Sequence, residues 1–177
     1  MKYVEFSQPG MNLSFRHLAA TTTGFTFGLI VLGVYTGAIG ADLSCARAWP
    51  FCDGWLGLFP ATWPSFVEWF HRLVALVTGL LIVGLAYAAW RGDYDRRIQY
   101  AIGLALVFLP VQVFLGANTV LGFLPISPPI SQTLHHATAK LMFGGLVAAT
   151  TLSYILPDDG KTVRTDATSA SAAGADD

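Results

Sequence analysis

Several residues in this sequence have types and spacings that suit chemistry. Glu68 and His71 stand three residues apart, so a helix would carry a carboxylate and an imidazole on one face. Gln132 and His135 repeat that spacing, with His136 next in line. Cys45 and Cys52 are the only two cysteines. Imidazoles ligate metals and haem iron, and a carboxylate in an apolar site can accept protons. A cysteine pair can be a disulfide, a redox-active dithiol or part of a metal site. The elements that carry these residues decide between such roles.

Of 177 residues, 54% are hydrophobic and 12% are charged, about half the charged share of ordinary soluble domains. The charges cluster, leaving long uncharged runs, and the chain reads as a small integral membrane protein. Apolar spans are expected at 18–40, 67–90, 98–121 and 131–156, each long enough for the ~20 residues that cross a bilayer. The expected fold is therefore an all-α membrane protein, a four-transmembrane-helix bundle covering 18–156. A polar lead, 1–17, precedes it. A loop at 41–66 holds both cysteines and two interfacial tryptophans, Trp55 and Trp63. The tail, 157–177, is rich in Asp, Ser, Ala, Thr and Gly and is expected to be disordered. A kink is expected at Pro110, inside the third span. A cleaved signal peptide competes for the first span, but secretory apolar regions are usually only ~7–15 residues long. The net charge of −1 and the lack of a basic stripe argue against nucleic acid as a partner.

Lys2, Arg16, Arg91, Arg96, Arg97, Lys161 and Arg164 fall on one side of such a bundle; only Arg47, with Arg72 at a helix start, falls on the other. This asymmetry puts both termini in the cytoplasm and the cysteine loop outside the cell membrane. A disulfide between Cys45 and Cys52 is the reading that compartment favours; a redox-active dithiol or a metal pair are the alternatives.

The second and fourth helices would start from the same side, placing His71 and His135 or His136 at similar depths. The Glu68-x-x-His71 and Gln132-x-x-His135 echo, with Gly37-Ala38 and Gly116-Ala117 before it, implies two helical hairpins related by a pseudo-two-fold axis along the membrane normal. Such an axis brings two histidines face to face. The face of His135 continues with Thr138, Ala139 and Met142, like the small face below His71, so His135 is the preferred ligand and His136 the alternative. Two inward histidines beside small residues suit haem iron. Arg72 and Lys140 are placed to pair with haem propionates. The plain alternative is that each histidine hydrogen-bonds across the bundle.

Taken together, the sequence resembles the haem A synthase family. The resemblance rests on Leu43-Ser44-Cys45, Pro50-Phe51-Cys52-Asp53-Gly54, Glu68-Trp69-Phe70-His71-Arg72-Leu73, the run from Gln112 to Gly122, and Leu134-His135. It implies oxidation of the C8 methyl of haem O to a formyl group, with water as oxygen source, for terminal oxidase assembly. It also implies His71 and His135 as axial ligands, Glu68 as the catalytic carboxylate, and Cys45 and Cys52 as the loop pair. Many members have eight spans in two halves, one for substrate haem and one for a haem b cofactor. This chain resembles the substrate half, which implies a homo-oligomer or a partner supplying the second half; haem O synthase is a further expected partner. The rival readings are a b-type electron-transfer cytochrome, a quinone-linked thiol oxidase and a non-catalytic assembly protein.

Overall fold

A computed structural model describes residues 14–45 and 48–156. Most of the polar lead, Arg47 with its weight in the orientation count, and the tail with its expected disorder lie outside the described residues. Four helices follow one another: α1 (Phe15–Ala38), α2 (Trp63–Arg91), α3 (Arg96–Leu121) and α4 (Pro128–Ile155). A short 3-10 turn, Ala41–Leu43, follows α1.

The helix ends follow from local chemistry. Helix α2 starts at Trp63, ahead of the expected 67, because Thr62 caps it by accepting from the Ser65 N–H at 3.3 Å. Pro64 fits the first turn, where no N–H is needed. Helix α4 starts at Pro128 for the same reason, ahead of the expected 131. Helix α1 stops at Ala38, and Gly40 turns the chain at φ 67°. Helix α3 continues through Pro110 and ends where Gly122 takes φ 64°.

The short connections at 92–95 and 122–127 fold successive helices back on one another. Helices α1 and α3 each pack against both α2 and α4, so α2 and α4 stand diagonally across the bundle. This is the all-α membrane bundle that the hydropathy pattern indicates. Helices α1, α2 and α3 are long and apolar enough to cross a membrane. Helix α4 matches them in length, with 28 residues, but its first half is polar, carrying Ser131, Gln132, Thr133, His135, His136, Thr138 and Lys140.

The bundle is solid at one end and hollow at the other. At the end away from the cysteine loop, Ile82, Leu85, Ile102 and Leu146 are fully buried in a cluster with Phe15, Ala19 and Ala149. Thr23 Oγ1 lies 2.8 Å from Thr150 Oγ1 there, a polar tie between α1 and α4 of the kind that joins helices in lipid. Packing at this end holds the helices in place around the cavity at the other.

Candidate functional site

The loop-end half of the bundle encloses a cavity of about 630 Å³, with walls from all four helices and the cysteine loop. His71 on α2 and His135 on α4 both line it, as do Glu68, Arg72, Gln132 and His136. The diagonal placement of α2 and α4 brings the two imidazoles to one space. Each rests against a glycine of the preceding helix. A Cβ at Gly33 would stand 3.0 Å from His71 Cε1, and one at Gly116 would stand 3.3 Å from His135 Cε1. Nδ1 of each ring is buried without a hydrogen-bond partner. Among the described residues, neither ring makes a hydrogen bond across the bundle through this nitrogen.

Around His71 the site is charged and tied to the loop. Glu68 is buried, and its Oε1 accepts from Arg72 Nε at 2.7 Å. Arg72 Nη1 donates to the carbonyls of Ala48 at 2.9 Å, Pro50 at 3.2 Å and Phe51 at 2.8 Å. One guanidinium thus fixes the carboxylate and the cysteine loop together. Its Nη2 is buried and has no partner. Cys45 and Cys52 are joined in a disulfide with their Cα atoms 4.5 Å apart, so neither a dithiol nor a thiol metal pair is present. Ser65 seats this loop on α2: its Oγ lies 2.9 Å from Asp53 Oδ2 and accepts from Thr62 at 3.0 Å. Trp49, Pro50 and Phe51, held inside the closed loop, form part of the cavity wall.

Around His135 the polar groups are neutral. Gln112 Nε2 donates to the His135 carbonyl at 3.0 Å and also bonds Thr138 Oγ1, fixing the turn of α4 that carries the ring. Gln132 lies against Gly37, where a Cβ would meet its Nε2 at 2.6 Å. Asn118 donates to Ser131 at 2.7 Å and accepts from the Leu124 N–H at 2.8 Å, closing α3 onto α4.

The predicted residues are therefore mostly gathered, with one outside. Glu68, His71, Arg72, His135 and His136 share the cavity, whereas Lys140 is exposed and outside its lining. A lysine placed to meet a propionate should face that space; the register of α4 turns Lys140 outward instead. Gly33 lies under His71 and Gly116 under His135, so Gly37, which pairs with Gly116 in the sequence echo, does not hold the matching place. Thr78, whose buried Oγ1 has no partner, also lines the cavity. Its place on the small face below His71 is the sequence signal that pointed to it.

Such a site defines a membrane helix bundle that presents three imidazoles, two of them with a buried unpartnered Nδ1, and an ion-paired carboxylate to one largely apolar cavity. Residues 61–175 match the model of the COX15-CtaA family, described as cytochrome oxidase assembly proteins, and the chain belongs to this haem A synthase family. It is 30% identical to a haem A synthase of Bacillus licheniformis over 146 residues, covering 81% of this chain and 47% of that protein. It is also 43% identical over 105 residues to a protohaem IX farnesyltransferase of Halobacterium salinarum, covering 59% of this chain and 22% of that protein. A farnesyltransferase of Natronomonas pharaonis is 36% identical over 130 residues, 73% of this chain and 26% of that one. The chain thus spans less than half the length of these relatives. No solved structure matches it.

Proposed function

We propose that this chain binds haem O in the loop-end cavity, with His71 and His135 as the iron ligands, and takes part in oxidising its C8 methyl to a formyl group. The observation that carries the reading is the pair of imidazoles on diagonal helices lining one cavity, each with a buried nitrogen that no protein group satisfies. An apolar space with donors at two sides fits a macrocycle whose iron takes imidazole ligands. The family relatives named as haem A synthases support haem A as the product.

Glu68 is the group proposed to take up protons released as water adds oxygen to the methyl carbon. The four electrons of the two successive two-electron oxidations would leave through the redox cofactor of the second half to an external electron acceptor. Arg72 holds Oε1 of that carboxylate, and Oε2 makes no hydrogen bond among the described residues. Arg72 Nη2 is the donor proposed to meet a propionate, the role first expected of Arg72 and Lys140 together. The disulfide loop forms the wall of the site on one side, with both termini proposed to be cytoplasmic and this loop outside. Because the chain spans only part of its relatives, a second copy or a partner is proposed to supply the other half, with haem b as its redox cofactor. The farnesyltransferase relatives carry a segment similar to this chain within a prenylating protein, which supports direct receipt of substrate from haem O synthase.

The experiment is to produce the chain in cells that make haem O but not haem A, purify it, extract its haem and identify it by mass. Haem O or its oxidised forms are expected. Recovery of protohaem alone, with no formyl product when the chain is supplied with haem O, overturns the reading in favour of a b-type cytochrome.

A further inference from the structure

Oxidising a methyl group to a formyl group with water releases four protons along with the four electrons. A carboxylate holds one proton at a time, so Glu68 must hand each one on before it can take the next. It is itself buried, at 5% exposure. Arg72, its ion-pair partner, stays protonated and cannot accept, and His71 is assigned to the iron. A second carboxylate lines the same cavity. Asp42 sits in the 3-10 turn after α1, and that turn packs against α1, α2 and α3. Ala41 before it is fully buried and Leu43 after it is exposed. Asp42 is half-buried between them, so it meets both the cavity and the loop-end surface. It lies close enough to Glu68 for its charge to act on that carboxylate. Asp53, the acid further along the loop, is tied to Ser65 and stands outside the cavity lining.

We infer that Asp42 is the proton exit of this site, taking protons from Glu68 and releasing them to water at the loop end. The inference rests on the oxidation reading above and adds where its protons go. Each proton passes from the Glu68 carboxyl to the Asp42 carboxylate, which then ionises to water. Both groups end the transfer as carboxylates, and the electrons leave separately, through the second half to the external acceptor. Asp42 acts through Glu68 and is assigned no contact with the haem. His136 is the competing carrier, since it also lines the cavity. It stands on α4, however, and the charges that act on Glu68 are those of Arg72 and Asp42.

The first measurement needs no haem. The full chain in phosphatidylcholine nanodiscs is given a rapid acid jump, and the Glu68 carboxyl band is followed by infrared absorption. That band is assigned as the one lost in Glu68→Gln. Asp42→Asn is expected to slow its appearance by about 10²-fold, the low end of what a positioned acid–base group contributes, and Asp42→Glu to restore it. The second measurement follows formyl product in membranes of cells that make haem O but not haem A. Asp42→Asn should keep bound haem, lower product, and recover part of it when formate is added as a small proton carrier. A loss of structure alone would not respond to formate. Should Asp42→Asn fail to fold, Asp42→Ser decides by the same two measurements. An unchanged rate after the acid jump, or slowing by His136→Gln in place of the Asp42 variant, overturns the exit at Asp42. So does a product loss that neither formate nor Asp42→Glu corrects. Absence of formyl product from the unaltered chain overturns the oxidation reading instead, while the acid jump still decides the route to Glu68.

Discussion

In the α1–α2 hairpin, His71 rests against Gly33 and follows a carboxylate by one turn; in the α3–α4 hairpin, His135 rests against Gly116 and follows an amide. The seats are alike: a flat ring against a helix backbone without a side chain, with its Nδ1 buried and unpartnered. The surroundings are not. His71 has an ion pair, a disulfide and three loop carbonyls gathered by Arg72. His135 has Gln112, Thr138 and a short connection at 122–127. Two equal seats suit two ligands to one centre, whereas a single buried carboxylate suits chemistry on one side of it. On the proposed reading, the bundle would separate holding, shared by both hairpins, from reacting, assigned to the first.

The largest expected effects come from removing a seat's occupant. His71→Ala and His135→Ala should each abolish stable haem retention, measured as haem per protein after purification. If one of them keeps full haem with an unchanged spectrum, the two seats are not equivalent and His136 becomes the ligand to test in its place. The next effect separates the hairpins. Glu68→Gln keeps size and most hydrogen bonding but removes the base, and should keep bound haem while lowering formyl product by ~10²–10⁴-fold. Gln132→Leu, at the matching position, should change product formation far less. Similar losses from both variants would return Glu68 to a structural role.

A smaller effect tests the loop. The disulfide closes a span with a sequence separation of 7, and the chain-entropy estimate gives ~2–3 kcal/mol for a loop of that size. Cys45→Ser with Cys52→Ser should lower the unfolding temperature and loosen the wall at Trp49–Phe51. His135, whose neighbours do not involve the loop, should keep its environment. Thiol labelling of the native protein without reductant is expected to fail, and ready labelling of both cysteines would show that the pair is open.

How far the sequence reaches depends on what each feature needs. The apolar stretches of α1, α2 and α3 and the histidine spacing are local patterns, so the bundle and the shared face of Glu68 and His71 were legible. The cysteine pairing was legible because two thiols in one short loop leave a single intramolecular partner. Arg72 was legible only in part: its charge near the end of a span was plain, but not that three carbonyls from 48–51 fold within reach of its Nη1. The exposed place of Lys140 was not legible for a different reason. Its position was judged from charge and depth, but only the register of α4 against α3 decides whether it faces inward. The start of α4 at Pro128 was hidden because hydropathy marks where a helix turns apolar, not where its backbone begins.

The register of the two seats gives the smallest and sharpest comparison. An alanine Cβ at 33 would stand 3.0 Å from His71 Cε1, and one at 116 would stand 3.3 Å from His135 Cε1. Both distances are shorter than an ordinary carbon–carbon contact of about 3.5–4.0 Å, so each ring must move, and His71 must move more. Against this, replacing a mid-helix glycine by alanine stabilises the helix by roughly 0.5–1 kcal/mol, while overpacking costs about 1–3 kcal/mol where nothing yields. The terms oppose one another, so unfolding temperature is a poor readout and ligand geometry a good one. Gly33→Ala should shift the haem absorption band and its paramagnetic resonance values clearly, with little loss of bound haem. Gly116→Ala should shift them less and leave the protein as stable as before, or slightly more so. Equal shifts from the two variants, or a larger one from Gly116→Ala, would mean that the rings do not lean on these backbones when haem is bound, and the likeness of the two seats would fail.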